Sequence, residues 1–203
     1  MGILLFIQIP KVMYIDQKQI EEWMHHIHEV ATVHGWHEEK HSPEHWLGLV
    51  MTEVAEAVEA DRKNKRANMP MFEKESQTPQ PINRKKDHWK FCFELFIKNS
   101  IEDEFADVII RLLDMAYELY GESMNFDSLN CFGGVYFKRD QSFIENAWIL
   151  IRHQLGQSPY DIKKSIQFML DWSDYLKIDI YKHIELKMKY NELREYKHGN
   201  KKY

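Results

Sequence analysis

Residues 100–116 read SIEDEFADVIIRLLDMA and decide the fold class. Ser100 is a suitable N-cap, and the acidic residues of the following turn suit the positive end of a helix dipole. The apolar side chains recur every three or four residues, which is the spacing of one helix face: Ile101, Phe105, Val108, Ile109, Leu112 and Ala116. The segment therefore predicts an amphipathic helix that buries this face and ends near Gly121.

Similar patterns predict helices on both sides of this segment. Asp16 is a suitable N-cap for a helix over 16–32, and Gly35 follows its end. Ser42-Pro43 opens a helix that lasts to about Arg62. Further helices are expected at about 140–155, 159–176 and 179–196. Glycine and proline are scarce, at 8 and 6 of 203 residues, so the expected fold class is all-α.

Two stretches lack a regular apolar pattern. From 63 to 88 three prolines lie among polar residues, which predicts a long loop. The aromatic run over 89–97 fits either a strand or a helix. A second irregular stretch, 122–139, surrounds Gly133-Gly134.

Composition excludes several classes of protein. The formal net charge is -5, which argues against a nucleic-acid partner. Cys92 and Cys131 are too few for a disulfide framework and favour a reducing compartment. No apolar run approaches the roughly 20 residues that span a bilayer, and the apolar start, 1–9, lacks the features of a signal peptide. We therefore expect a cytoplasmic protein with no membrane partner.

Two short acidic pairs carry the chemistry. Glu53 and Glu56 lie on the second predicted helix, and Glu104 and Asp107 lie on the third. At this spacing both carboxylates of a pair share one helix face. If the two helices pack by their apolar faces, all four converge and repel by roughly 3 kcal/mol per pair. A divalent cation offsets such repulsion, and oxygen ligands suit Mg²⁺ or Mn²⁺ with a phosphorylated substrate.

The C-terminal segment offers donors for phosphate. Lys187, Asn191 and Arg194 share one face of the final predicted helix, and His198 and Lys201 follow. Two cations and an amide suit a polyphosphate, which arginine can bind with two hydrogen bonds. A solvated basic tail is the alternative interpretation.

Three motifs occur in a fixed order along the chain. They are LGLVMTEVAEA at 47–57, IEDEFADVIIRLLD at 101–114, and KMKYNELR at 187–194 with HGNK at 198–201. Together they resemble those of the MazG-like all-α nucleoside triphosphate pyrophosphohydrolases. The resemblance implies a bundle of four or five core helices, assembled as a homodimer or homotetramer. It also implies Mg²⁺-dependent hydrolysis between the α- and β-phosphates, which yields a nucleoside monophosphate and pyrophosphate.

The resemblance also assigns residues. By position, the family's metal ligands correspond to Glu53, Glu56, Glu104 and Asp107, and its substrate contacts to Lys187, Asn191, Arg194 and Lys201. It leaves 63–99 and 121–140 as insertions in a single domain over 1–203. Either Glu53 or Glu56 is expected to accept the proton of the attacking water. The alternative function is a helical module that binds nucleotide or a protein partner without turnover.

Eleven histidines also suggest other metals. Glu22 and His25 form one ExxH motif, whereas a di-iron bundle needs two. His34, His37 and His41 have no cysteine partners and loose spacing, so we expect a solvated connector rather than a zinc site.

Four further residues have two interpretations each. Trp36 and Trp46 could stack on a base, but a tryptophan beside a helix start is more often a core residue. Arg111 and Asp114 could orient metal ligands or could form an intrahelical ion pair.

Overall fold

The structure is a computed structural model that describes residues 16–127, 129 and 137–197. Those residues form eight α-helices and no strand, which confirms the predicted all-α class. None of these helices is both long enough and apolar enough to cross a bilayer. In chain order the helices are α1 Gln17–Val33, α2 Pro43–Arg62, α3 Met69–Ser76, α4 Lys85–Phe96, α5 Ile101–Tyr120, α6 Phe143–Ile149, α7 Pro159–Tyr175 and α8 Ile180–Glu192.

Helix α5 is the centre of the fold. It packs against α1, α2, α7 and α8, and its predicted apolar face is buried along its length. The ring centroids of Phe105 and Trp172, on α5 and α7, lie 4.8 Å apart. Ser100 caps α5, since its Oγ accepts a hydrogen bond from the backbone N of Asp103 at 3.2 Å. The fold therefore has one main core, built around the segment that the sequence singles out.

The residues at the ends of α1 and α2 explain where these helices begin and end. Asp16 caps α1 through the backbone N–H groups of the first turn. After α1 ends, Gly35 adopts a φ of +82°, a conformation that glycine takes without strain. Ser42 occupies the N-cap position of α2 and Pro43 its first turn. These boundaries confirm the predicted helices over 16–32 and 43–62.

The prediction of a loop over 63–88 is wrong, because this region contains α3 and the start of α4. Pro70 lies in the first turn of α3, where a missing N–H leaves no hydrogen bond unmade. Asn68 caps that turn through the backbone N of Met71. The aromatic run over 89–97 belongs to α4 and its C-cap, so it is helical.

Helices α3 and α4 form a hairpin with its own small core, which is joined to α8. The core contains Phe72, Cys92, Phe93, Ile97 and Tyr190. The ring of Phe93 on α4 stacks on Tyr190 of α8, with centroids 4.4 Å apart. Cys92 is a free, buried thiol, and Cys131 lies outside the described residues. The region 63–99 thus contains a helical hairpin rather than only irregular structure, and its status as an insertion stays a prediction.

Some of the remaining helix boundaries differ from the predicted ones. A 3-10 turn, Gly121–Ser123, opens the region 121–140, and Gly133-Gly134 lies outside the described residues. The helix expected over 140–155 is α6 followed by a π-helical turn, Leu150–Gln154. Helix α7 matches its prediction, but α8 ends at Glu192 rather than near 196.

Candidate functional site

The packing of α2 on α5 brings three carboxylates together. Glu53 lies on α2, and Glu104 and Asp107 lie on α5. One oxygen from each lies within 4.8 Å of the others. Glu56 lines the same cavity but is exposed and is not one of this group of three. The structure therefore gathers three of the four predicted metal ligands and places the fourth at the wall of the same cavity.

Burial and mutual repulsion make these carboxyl groups hard to ionise. Glu104 is only 2% exposed. Its burial, with Asp107 and Asp103 nearby, raises its pKa to about 9. Burial also raises the pKa of Glu53, and Asp107 adds to the effect while Arg111 opposes it. In the absence of a bound cation, Glu104 is therefore protonated at neutral pH.

Two internal cations already contact this cluster. Arg111 Nε donates a hydrogen bond to Glu53 Oε1 at 3.0 Å. Lys187 Nζ lies 2.6 Å from Asp107 Oδ2 and 2.9 Å from Asp103 Oδ1. Burial alone lowers the pKa of Lys187, but the two aspartates outweigh it and raise the pKa well above its usual value. Lys187 is therefore a buried ammonium ion bound to the cluster.

The other predicted substrate contacts also reach the cavity. Asn191 and Arg194 line it, and the buried Oδ1 of Asn191 has no hydrogen-bond partner among the described residues. Arg194 lies beyond the end of α8 rather than on it. Its backbone carbonyl accepts a hydrogen bond from Nε2 of His34 at 3.0 Å, which holds it beside α1. Lys201 lies outside the described residues.

The cavity itself has a polar side and an apolar side. It encloses about 1140 Å³, counting the part open to solvent. Its apolar lining residues are Ile27, Val30, Ala31, Trp36, Ile110 and Met188. Trp46 is a core residue, only 3% exposed, as expected. Trp36 is instead partly exposed and lines the cavity, so the expectation of a core role is wrong for it.

Two cavity residues, Lys98 and Asn99, were not predicted from the sequence, and Arg111 was predicted with two possible roles. Lys98 and Asn99 come from the turn between α4 and α5, inside the region interpreted as an insertion. Asn99 has a φ of 57°, and its backbone N donates to Asp103 Oδ2 at 2.8 Å. Arg111 pairs with Glu53 across two helices rather than with Asp114 on its own helix. The positive φ is tolerated by asparagine, but no pattern in the sequence indicates these contacts.

The histidines near α1 are only partly solvated. The side chain of His37 is 6% exposed, and its Nε2 lies 2.9 Å from Asp114 Oδ1. His28 Nδ1 lies 3.1 Å from the same oxygen. Burial raises the pKa of Asp114, but the hydrogen bonds from these two imidazoles outweigh it and lower the pKa. The expectation of a solvated connector is therefore wrong for His37.

No protein-family model, curated protein or solved structure matches this chain. The resemblance to the MazG-like enzymes therefore stays a prediction from three motifs. The function is therefore inferred from the geometry of the cavity.

Proposed function

We propose that the protein is a Mg²⁺-dependent hydrolase that converts a nucleoside triphosphate, or a related nucleotide, to its monophosphate and pyrophosphate. Mn²⁺ is the alternative cation. One observation carries the proposal: Glu53, Glu104 and Asp107 converge within 4.8 Å on a cavity that Asn191 and Arg194 also line. A triphosphate bound with its cation needs the converging carboxylates and the phosphate donors in the same cavity.

The three carboxylates fit a hard divalent cation. Their oxygens are of the type that Mg²⁺ binds through a few carboxylates, with phosphate oxygens as further ligands. Burial and the neighbouring Asp107 and Asp103 raise the pKa of Glu104 to about 9, and a bound cation would oppose that rise. When bound, Mg²⁺ would offset phosphate charge and orient the substrate.

The remaining cavity residues suit the rest of a nucleotide. Arg194 can hold two phosphate oxygens through its planar guanidinium group, and Lys98 adds a second positive charge. The unpartnered Oδ1 of Asn191 is available to accept a hydrogen bond from a sugar hydroxyl or a base N–H. The apolar surface formed by Ile27 and Trp36 would contact the base.

The geometry favours Glu56 as the group that accepts the proton from water. Glu53 is buried and accepts a hydrogen bond from Arg111, whereas Glu56 is exposed in the cavity. In the proposed step the water oxygen forms a bond to the α-phosphorus as the bond to the bridging oxygen breaks. Pyrophosphate leaves with that electron pair, and the Glu56 carboxylate takes the water proton. Attack at the α-position rests on the family resemblance.

A specific observation favours a second function. Lys187 and Arg111 already offset charge on Asp107 and Glu53. A cluster neutralised from within has less need of a metal. The alternative is therefore a nucleotide-binding module without turnover, which predicts binding but no product.

We also propose a cytoplasmic homodimer or homotetramer. Ile144 and Trp148 on α6 are 57% and 56% exposed, beside an apolar groove that Val58 of α2 also lines. Apolar surface of this kind is typical of subunit contacts. Light scattering of the purified protein would give the assembly size, and Trp148→Ser should reduce it.

Product analysis tests the proposed activity. The protein is incubated with ribo- and deoxyribonucleoside triphosphates, with Mg²⁺ or with EDTA, and the products are resolved. We expect monophosphate and pyrophosphate that are lost with EDTA and in Glu104→Gln and Asp107→Asn. Glu59→Gln is the matched control, because Glu59 pairs with Arg62 and Lys63 on the surface of α2. Folded protein that binds nucleotide without product would support the binding module instead.

A further inference from the structure

A second cluster of potential metal ligands lies outside the carboxylate site. It joins His28 of α1, His37 of the connector between α1 and α2, and Glu118 of α5. One nitrogen of each imidazole and one carboxylate oxygen of Glu118 lie within 4.8 Å of one another. We propose that these three residues form a binding site for Zn²⁺ or a similar borderline divalent cation, separate from the Mg²⁺ site of the proposed function.

Asp114 fixes which ring nitrogens remain for a metal. Its Oδ1 lies 3.1 Å from Nδ1 of His28 and 2.9 Å from Nε2 of His37. A carboxylate oxygen accepts hydrogen bonds, so both of these nitrogens carry a proton. In the neutral form of each ring, the other nitrogen, Nε2 of His28 and Nδ1 of His37, keeps a lone pair that can bind a metal. A carboxylate that orients metal-binding histidines in this way is a common feature of zinc sites.

The separation of His37 and Glu118 fits two ligands of one metal ion. Nδ1 of His37 lies 3.1 Å from Glu118 Oε2. It is nonetheless a buried nitrogen without a hydrogen-bond partner among the described residues. Two ligand atoms in tetrahedral positions around Zn²⁺, each at about 2.0–2.1 Å, lie about 3.3 Å apart. The observed separation is close to that distance.

Aromatic packing holds the two imidazole rings in place. The His28 ring lies 4.3 Å from the Tyr117 ring, and the His37 ring stacks on Trp46 at 5.1 Å. The two ring centroids are 4.2 Å apart. These contacts restrict the motion of both rings, which lowers the entropy cost of binding an ion.

The donor set selects the class of cation. Two imidazoles and one carboxylate suit Zn²⁺, and three protein ligands leave a fourth position for water. Mg²⁺ prefers oxygen ligands and belongs to the other cluster. An ion held here would link α1, the connector and α5. It would thereby fix the connector that carries Trp36 into the cavity wall.

Cobalt spectroscopy tests the site without any measurement of turnover. The full-length protein is freed of metal, titrated with Co²⁺, and followed by its visible absorption. We expect one equivalent to give the intense bands of four-coordinate Co²⁺, which Zn²⁺ then removes. Zn²⁺ affinity, measured by competition with a chromophoric chelator, should fall about tenfold or more in Glu118→Gln and in His28→Gln.

Two control variants separate this site from the others. His41→Gln should keep wild-type affinity, because His41 lies on the same connector but stacks on His45. Glu104→Gln should also keep wild-type Zn²⁺ affinity, because Glu104 belongs to the other cluster. The zinc site can therefore be confirmed even if the protein has no hydrolase activity. Circular dichroism checks that each variant is folded.

Three results would overturn the inference. They are folded wild-type protein that gives only the weak bands of six-coordinate Co²⁺, equal affinity in Glu118→Gln and wild type, and loss of affinity in His41→Gln. If the variants do not fold, nitrogen-detected NMR of the wild-type imidazoles tests whether the histidines bind Zn²⁺. Zn²⁺ must then shift the resonances of two ring nitrogens, one in each of two histidines. Unchanged resonances would mean that His37 is held by its carboxylates alone.

Discussion

Lys187 Nζ lies 2.6 Å from Asp107 Oδ2, so the ammonium ion is bound directly to one of the three converging carboxylates. The contact crosses from α8 to α5, and the Lys187 side chain is almost fully buried. This lysine therefore links the predicted phosphate-binding helix to the predicted metal ligands. Lys187 also lines the cavity, and its ammonium group is held by Asp103 and Asp107.

Removal of this internal cation should destabilise the protein in a way that Mg²⁺ partly reverses. Lys187→Met leaves Asp103 and Asp107 buried without their ammonium partner, which costs about 3–5 kcal/mol in comparable pairs. Urea unfolding with and without Mg²⁺ measures the effect. Lys189→Met, an exposed neighbour on α8, should change the free energy of unfolding by less than about 1 kcal/mol. Equal effects of the two variants would contradict the assignment.

Glu104 should make the metal-free protein less stable as pH rises. Its folded pKa of about 9 lies above the ordinary value of 4.5. The folded state therefore holds a proton that the unfolded state has lost. Between these two values its contribution to the free energy of unfolding falls with pH, by up to about 1.4 kcal/mol per unit.

Glu104→Gln should remove this pH dependence. The variant should match the wild type near pH 4.5 and exceed it in stability at pH 9, measured by urea unfolding in EDTA. Mg²⁺ should stabilise the wild type at pH 9 but not the variant. Parallel pH profiles for the two proteins would be the contrary result.

The local rules of helix formation account for the part of the fold that the sequence predicts. Ser100 and Asp16 cap their helices as expected, and Glu53 of α2 meets Glu104 and Asp107 of α5 because these residues border buried faces. The predicted loop was wrong at Pro70, because this proline lies in the first turn of α3. Because no helix was predicted in this region, the sequence did not indicate that Lys98 lines the cavity.

The contacts that sequence reasoning missed join distant positions. His28 and Asp114 lie 86 residues apart, and Arg111 and Glu53 lie 58 residues apart. Spacing along one helix predicts which residues share a face, but it does not predict which helix will face them. The two interpretations of Asp114, orientation of metal ligands or an ion pair within α5, therefore did not include its contacts with two histidines.

Gly35 should be required for the position of the segment that carries Arg194. Its φ is +82°, and an added Cβ would lie 2.4 Å from the Tyr196 ring. Gly35→Ala should therefore lower the free energy of unfolding by about 1–3 kcal/mol and raise KM for nucleotide. Gly48→Ala is the control, because nothing lies within 4 Å of its added Cβ. In the interior of α2 it should stabilise by about 0.5–1 kcal/mol. A Gly35→Ala protein as stable as wild type would refute this role.

Arg194 should contribute to nucleotide affinity rather than to stability. Arg194→Lys keeps the charge but loses the planar pair of donors. We expect the Kd for a triphosphate to rise about tenfold, equivalent to about 1.4 kcal/mol, with little change in Tm. Calorimetric titration measures the Kd, and Arg62→Lys on the surface of α2 should leave it unaltered. An unchanged Kd in Arg194→Lys would place the phosphates elsewhere in the cavity.

Hydrolysis at the α-phosphorus can be detected by turnover in ¹⁸O-labelled water. A nucleoside triphosphate is incubated with the protein and Mg²⁺, and the products are analysed by mass spectrometry. We expect one ¹⁸O atom in the monophosphate and none in the pyrophosphate, with no product from Glu104→Gln. Label in pyrophosphate, release of diphosphate with inorganic phosphate, or no product from folded wild-type protein would contradict this expectation.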